Sequence, residues 1–175
     1  IFIMQINFES KKTTELDENT ILKICKLKNK HWKFNLKNQI LWFNKYIKKK
    51  DIHNLCFLNK KLIGYTSLRQ GYYNFTKNGK KKSFLLFDTL VLDPEHRKQK
   101  LGILMMKFNN LIILKKKKPS FLVCKMSLVK FYRSSGWKLL AKNKYLTNYK
   151  LFRLKGMTYL FNEKNKDKIF FNLYE

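Results

Sequence analysis

Arginine is the scarce residue in an otherwise very basic sequence. Lys and Arg total 39 against 11 acids, a formal net charge of +28, yet only Arg69, Arg97, Arg133 and Arg153 are arginine. Such an imbalance points to polyanion partners: nucleic acid, an anionic membrane or a phosphorylated ligand. A sequence reader should be richer in arginine, whose fork grips bases and phosphates bidentately. Here lysine alternates with asparagine, isoleucine and phenylalanine, the mixture expected where A+T-rich codons drift into surface positions. Solvated drift and selected polyanion binding both stay open on charge alone. Contact with nucleic acid is therefore expected through non-specific charge only.

Cysteine is also sparse. Cys25, Cys56 and Cys124 are odd in number, widely spaced and set in apolar contexts. That pattern excludes a disulfide framework, and the absence of C-x-x-C or Cys/His pairing speaks against a metal site. They read as reduced core thiols of a cytoplasmic protein. Long apolar runs are missing too. SFLLFDTLVL is broken by Asp88, and LGILMMKFNNLIIL by Lys107 and Asn109–Asn110. Neither reaches the roughly 18 uninterrupted apolar residues of a membrane span. The lysine runs at Lys48–Lys50 and Lys115–Lys118 lack a clear apolar insertion face in the sequence. Ile1 to Ile6 is too short and uncharged for a signal peptide. The opening isoleucine leaves two readings, Met4 as the natural start or a truncated N-terminus.

What is present is a core. The chain has 175 residues, 45% of them hydrophobic and 15% aromatic, which excludes intrinsic disorder and suits a single domain over residues 1–175. Phe2–Phe8 alternates like a strand. Thr13–Thr14 ahead of Glu15, Asp17 and Glu18 reads as a helix start, followed by Ile21, Leu22, Ile24, Cys25 and Leu27 on one face. A second helical pattern covers Leu36 to Lys49. Leu55–Leu58 and Leu62–Leu68 read as a hairpin and Tyr72–Lys82 as a loop; Ser83–Leu92 is a buried strand closed by Asp93–Pro94. Leu101 to Ile112 recurs at helical spacing, Phe121–Cys124 is a short strand, and Ser127 caps a brief helix through Tyr132 that Gly136 ends. Trp137–Leu140, Tyr145–Leu154, Met157–Phe161 and Lys168–Tyr174 read as strands. The order predicts a mixed α/β fold, a central sheet flanked by helices.

The stretch with chemistry is FLLFDTLVLDPEHRKQKLGILMM, Phe84 to Met106. A buried strand ends at Asp-Pro, and the basic turn Arg97-Lys98-Gln99-Lys100-Leu101-Gly102 opens a helix. Successive backbone N–H groups at a helix start form an anion site, and glycine there lets backbone approach a phosphate. An ordinary strand-to-helix connection in a lysine-rich protein would look similar. Some thirty residues on, after one helix and one strand, comes FYRSSGW, Phe131 to Trp137.

Taken together with LIGYTSL, Leu62–Leu68, these elements resemble the GNAT superfamily of acyl-CoA-dependent N-acyltransferases over about Leu55 to Leu140. The family pattern is a strand, a Pro-containing turn, [Arg/Gln]-x-x-Gly-x-[Gly/Ala], a helix, a strand, then a Tyr-containing helix before Gly-Phe or Gly-Trp. The resemblance implies direct transfer of an acetyl group from acetyl-CoA to a primary amine, without a metal. It implies that the backbone of Leu90, Val91 and Leu92 pairs with the pantetheine arm. Arg97, Lys98, Gln99, Lys100, Leu101, Gly102 and Ile103 would then cradle the pyrophosphate. It assigns Tyr132 to protonating the departing thiolate, against the alternative of a packed helix aromatic.

Asp88 stands out from the residues themselves. Between Ile52 and Phe161 the only acids are Asp88, Asp93 and Glu95, and the last two fall on the polar turn. An acid inside an apolar strand needs a polar partner, water or a function. The family often has an acid near this position, so Asp88 is proposed as the base, against a structural hydrogen-bonding role. His96 reads as a solvated turn residue, and Cys124 as strand core rather than a nucleophile.

Two positions depart from the family pattern. Its first loop glycine is Lys100 here, and a position needing positive φ would make lysine cost about 1 kcal/mol. The asparagine often found seven residues before the tyrosine is Lys125. The acceptor, a small molecule or a protein amine, is not readable, and a homodimer is compatible with the sequence. The reading from another class is a basic polyanion-binding module that keeps this fold without catalysis. It would show salt-sensitive nucleic-acid binding indifferent to Tyr132.

Overall fold

The computed structural model describes residues 5–75, 79–161 and 168–174. Its elements in chain order are β1 (Ile6–Lys12), α1 (Glu18–His31), α2 (Leu36–Tyr46), β2 (Ile52–Leu58), β3 (Lys61–Asn74), β4 (Lys82–Leu92) and α3 (Leu101–Lys116). Then follow β5 (Ser120–Cys124), α4 (Val129–Ser134), β6 (Lys138–Leu139), β7 (Tyr145–Thr147), β8 (Lys155–Tyr159) and β9 (Ile169–Asn172). The fold is α/β with a mixed sheet, as the sequence predicts. The chain divides into two compact units, Ile1–Arg69 with Thr89–Ile112, and Gln70–Asp88 with Ile113–Glu175; the boundaries fall inside β3, β4 and α3.

In the first unit β1, β2 and β3 run antiparallel in sequence order. The β2–β3 turn is Asn59-Lys60, both at positive φ (47° and 69°), the two-residue conformation whose twist matches the flanking strands. α1 starts later than expected. Asp17, not Thr13 or Thr14, caps it, accepting from the Thr20 N–H at 2.6 Å. Thr13 lies in a short 3-10 turn, where its hydroxyl donates to the Lys48 carbonyl at 2.7 Å. Ile24, Cys25 and Leu27 of α1 and Phe43 of α2 bury against Leu55, Leu62, Tyr65 and Val91. Leu101 and Met105 of α3 pack on Cys56 and Ile63. A Cβ on Gly64 would stand 2.9 Å from Leu92 and 3.2 Å from the Met105 sulfur, so only glycine lets these side chains close over β3.

In the second unit the end of β3 pairs antiparallel with β9, and β9 pairs parallel with β7. β8 lies antiparallel to both β5 and β6. The core is aromatic: Phe121 stacks on Phe171 with centroids 4.1 Å apart, and Phe84 meets both edge-on. Gly136 (φ 86°) ends the α4 segment in the left-handed conformation expected of it.

Long-range pairing explains where the sequence reading differs. Tyr72 to Asn74 are strand, not loop, because β9 supplies backbone partners from almost a hundred residues away. Residues 76–78 of the expected loop, Phe2 to Met4 of the first strand and 162–167 fall outside the described residues. The expected strand Tyr145–Leu154 stops at Thr147, where its ladder with β9 ends. Ser127 does not cap α4, which is entered through a 3-10 turn at Met126–Leu128 without a side-chain cap.

Candidate active site

The parallel ladder between β4 and β5 consists of Leu85–Ser120 and Leu86–Phe121, both within the second unit. It ends there, although β4 runs on to Leu92 and β5 to Cys124. β4 therefore carries backbone groups from Phe87 onward that no β5 ladder satisfies. Leu90, Val91 and Leu92 lie on this stretch, Val91 buried towards the helices α1 and α2, Leu90 and Leu92 half-buried beside Met105.

In the first unit the turn after β4 is fixed by Asp93, 1% exposed. Its carboxylate accepts from the Lys30 ammonium at 2.8 Å and the Glu95 N–H at 3.3 Å, while its own N–H donates to the Ile63 carbonyl at 2.7 Å. Burial works to raise the Asp93 carboxyl, but the bonds from Lys30 and Glu95 and the charges of Lys30 and Lys61 hold it below its ordinary value. Arg97 reaches back to α1, its Nη2 lying 3.0 Å from the His31 Nδ1. An arginine can only donate, so that nitrogen accepts.

Next comes the predicted anion loop. Lys98 and Lys100 both have positive φ, 64° and 58°. Left-handed residues interspersed in a turn aim successive N–H groups to one side, the geometry of an anion nest. Among the described residues, none accepts from the backbone N–H of Lys98, Gln99, Lys100, Leu101 or Gly102; donation resumes with Ile103 and Leu104, both to the Lys100 carbonyl. Arg97 through Lys100 and Ile103 are exposed, Gly102 is half-buried, and Leu101 anchors the loop in the core. Five unsatisfied donors at the start of a sixteen-residue helix, amid cations, fit a pyrophosphate in both charge and hydrogen-bonding capacity.

Lys100 thus occupies a conformation that glycine adopts more cheaply. Lys100→Gly should raise the melting temperature of the free protein by up to roughly 2–4 °C, equivalent to about 1 kcal/mol. Differential scanning calorimetry checks this, and an unchanged or lower value would mean that the lysine is not strained.

Tyr132 and Asp88 both belong to the second unit. The Tyr132 ring is buried, edge-on to Phe87 with centroids 6.1 Å apart, and Phe87 in turn meets Trp137. Among the described residues no hydrogen bond involves the Tyr132 hydroxyl. Burial, with a smaller contribution from Cys124, pushes the Tyr132 phenol up. It is a protonated donor across the physiological range. The Asp88 carboxylate is half-buried, and Oδ1 accepts from the Tyr174 hydroxyl at 3.1 Å. Phe87 and Asp88 are successive strand residues, so their side chains leave opposite faces of β4. His96 ends a short 3-10 turn, half-buried. All three cysteines are buried, and burial pushes the Cys124 thiol up, away from a nucleophilic thiolate.

Tyr174 is a neighbour of the site that the sequence reading missed. Nothing local marks it, since it stands eighty-six positions from Asp88 and is brought there only by the β3–β9 and β7–β9 pairings. Similarly, no sequence signal ties Lys30 and His31 to the loop at Asp93 and Arg97.

The fold is similar to those of solved structures described as N-acyltransferases and GNAT family N-acetyltransferases. The acyl-CoA N-acyltransferase from Pseudomonas aeruginosa matches 88% of this chain and 99% of its own, at a TM-score of 0.66 and 14% identity. The Escherichia coli GNAT family N-acetyltransferase YhbS, solved in complex with CoA, covers 99% of this chain and 91% of its own, at a TM-score of 0.66 and 11% identity. An aminoglycoside 6′-N-acetyltransferase complexed with coenzyme A matches 90% of this chain and 99% of its own, at a TM-score of 0.65 and 10% identity. At these identities the likeness is one of fold. No family model matches the sequence, and no curated protein matches it. Among the described residues no helix is long and apolar enough to cross a membrane.

Proposed function

We propose that this protein is an acyl-CoA-dependent N-acetyltransferase acting on a primary amine. The observation that carries the proposal is the row of backbone N–H groups from Lys98 to Gly102 that have no acceptor among the described residues, directly after a strand whose parallel ladder has ended. In this reading the loop holds the pyrophosphate of acetyl-CoA, with Arg97 and Lys100 adding positive charge, and the backbone of Leu90 to Leu92 pairs with the pantetheine arm. When bound, acetyl-CoA supplies a thioester whose acyl carbon bonds to the amine nitrogen as its bond to sulfur breaks.

The protein's own groups handle the protons. Asp88 takes the proton that the attacking ammonium must lose, and the Tyr174 hydroxyl orients its carboxylate. Tyr132 gives its proton to the departing sulfur, a thiolate that needs only modest help, and is reprotonated by the second proton, which the nitrogen loses once it is acylated. Transfer is direct, because the buried Cys124 thiol is a poor nucleophile.

The test is thermal unfolding at raised salt with acetyl-CoA, using ATP as the polyanion control. Acetyl-CoA at about 100 times its Kd should stabilise by ~2.7 kcal/mol, roughly 5–10 °C for a chain of this size. Equal small shifts with both ligands, vanishing as salt rises, would reduce the loop to a non-specific phosphate attractor.

A further inference from the structure

The helix α3 is apolar on two faces. Its inner face packs Leu101 and Met105 on Cys56 and Ile63, and sets Phe108 against Phe8 with ring centroids 5.1 Å apart. A helix with a packed core face ordinarily turns polar residues to the solvent. Here Ile103, Leu104, Leu111 and Leu114 stay 41%, 40%, 54% and 45% exposed. At about 3.6 residues per turn these four share one stripe with Lys107 and Lys115, ~120° wide and, from Ile103 to Lys115, about 18 Å long. The sequence alone shows no apolar face beside Lys115–Lys118. The fold exposes one by burying the opposite side of the same continuous helix.

Cations interleave this stripe and stand at both its ends. Lys98 and Lys100 are exposed before the helix, Lys107 in its middle and Lys115, Lys116 and Lys117 at its close. No Asp or Glu occurs in the sequence between Glu95 and Glu163, so α3 brings its lysines no carboxylate of its own. Pairing elsewhere would not neutralise the surface either, since the chain keeps a net charge of +28 with all 11 acids counted against its cations.

A partner for this face has to be apolar and anionic at once. Nucleic acid offers the charge, but its backbone presents no apolar surface. A second copy would press one +28 molecule against another. A bilayer with anionic headgroups offers both, acyl chains just below the surface and negative charge at the depth to which lysine ammoniums snorkel. It also needs no shaped groove, because side chains along one helix face can enter a flat boundary together. We propose that the exposed face of α3 docks on an anionic membrane surface. Ile103, Leu104, Leu111 and Leu114 enter the boundary between headgroups and acyl chains, and the lysines hold the headgroups. Docking is peripheral and reversible. A sixteen-residue helix is shorter than the roughly 20 residues that span a bilayer, and its other face belongs to the protein core.

The probes are large unilamellar vesicles of phosphatidylcholine, alone or with about a third of phosphatidylserine, and binding of the full chain is read by co-sedimentation at physiological salt. The chain should sediment with the mixed vesicles and stay in solution with phosphatidylcholine alone. Leu104→Ser combined with Leu111→Ser leaves every charge in place and should weaken partition at least about tenfold. Lys107→Gln should weaken it about fivefold, the share of one lysine near an anionic surface. Both serines replace exposed residues, so the melting temperature should stay within about 2 °C of the parent. Independently of that variant, Leu111→Trp adds an indole whose fluorescence brominated acyl chains should quench beyond any quenching of the parent.

Unchanged partition of the double serine variant, or no added quenching in Leu111→Trp, would reduce the attraction to bulk charge and overturn the inference. Equal binding to phosphatidylcholine alone would overturn it too, since the lysines would then hold nothing. A dimer in light scattering that the serine substitutions dissolve would give the face to a second copy instead.

Discussion

Tyr132→Phe should lower kcat for acetyl transfer about 100-fold and leave KM for acetyl-CoA close to its original value. The low end of the usual 10²–10⁴ range for a positioned acid applies, because a thiolate is a good leaving group even without a proton donor. The substitution is structurally mild. Phenylalanine keeps the edge contact with Phe87, and the hydroxyl it removes bonds to no described residue, so no partner is orphaned. The melting temperature should therefore stay within about 2 °C, the shift of a change below 1 kcal/mol. Because burial raises the Tyr132 phenol well above its ordinary value, the alkaline limb of the rate profile should not come from its ionisation. Steady-state kinetics from pH 6 to 9 on both proteins checks these points. A loss of less than about threefold would remove Tyr132 from the chemistry and return it to the role of a packed ring.

The second large effect concerns stability in mild acid and resides in the first unit. His53 is fully buried and pinned at both ring nitrogens: Nε2 lies 2.9 Å from the Thr13 hydroxyl and Nδ1 lies 2.8 Å from the Tyr65 hydroxyl. The Thr13 hydroxyl hydrogen is committed to the Lys48 carbonyl, so Thr13 accepts from Nε2–H and Tyr65 donates to Nδ1. A second proton on the ring would displace that donor. Burial, and then the nearby Lys28 charge, lower His53 from 6.5 to about 4. The unfolded chain thus binds a proton near pH 6.5 that the folded chain refuses until about pH 4. The associated stability is complete above pH 6.5 and disappears as the pH falls from there to 4.

The span corresponds to about 3 kcal/mol, or roughly 6–12 °C in melting temperature. His53→Gln should be less stable than the parent at pH 7.5, yet lose correspondingly less between pH 6.5 and 4. Asp93 acts in a different window. Its lowered carboxyl contributes stability above the ordinary carboxylate pKa, lost only as the pH falls through and below about 4. Equal losses in parent and variant between pH 6.5 and 4 would show that His53 is not the group responsible.

The sequence by itself determined the order of elements and marked the basic turn from Arg97 to Gly102, because both are written in local chemistry. Apolar spacing marks the buried face of α1 and the presence of α2 and α3, although Leu41, Leu104 and Leu111 of the expected stripes are exposed and α3 buries Met106, Asn109 and Ile113 as well. Asp-Pro stops β4, and a glycine-containing basic turn opens α3. The sequence also isolated Asp88 as an acid inside an apolar strand, whereas Tyr132 was singled out only by the resemblance of FYRSSGW to a family pattern. Even the question raised at Lys100 was local, since a residue needing positive φ in such a turn is a matter of its own backbone.

Only the tertiary structure decided what those residues touch. The bond from Tyr174 to Asp88, the ring of Tyr149 beside it, the salt bridge from Lys30 to Asp93 and the contact of His31 with Arg97 join positions tens of residues apart. β3 outlasts its polar-looking sequence, and β7 ends before its apolar run does, for the same cause. A strand persists where a partner backbone satisfies its N–H and C=O groups, and that partner is chosen by the folding of the whole chain rather than by the strand's own residues.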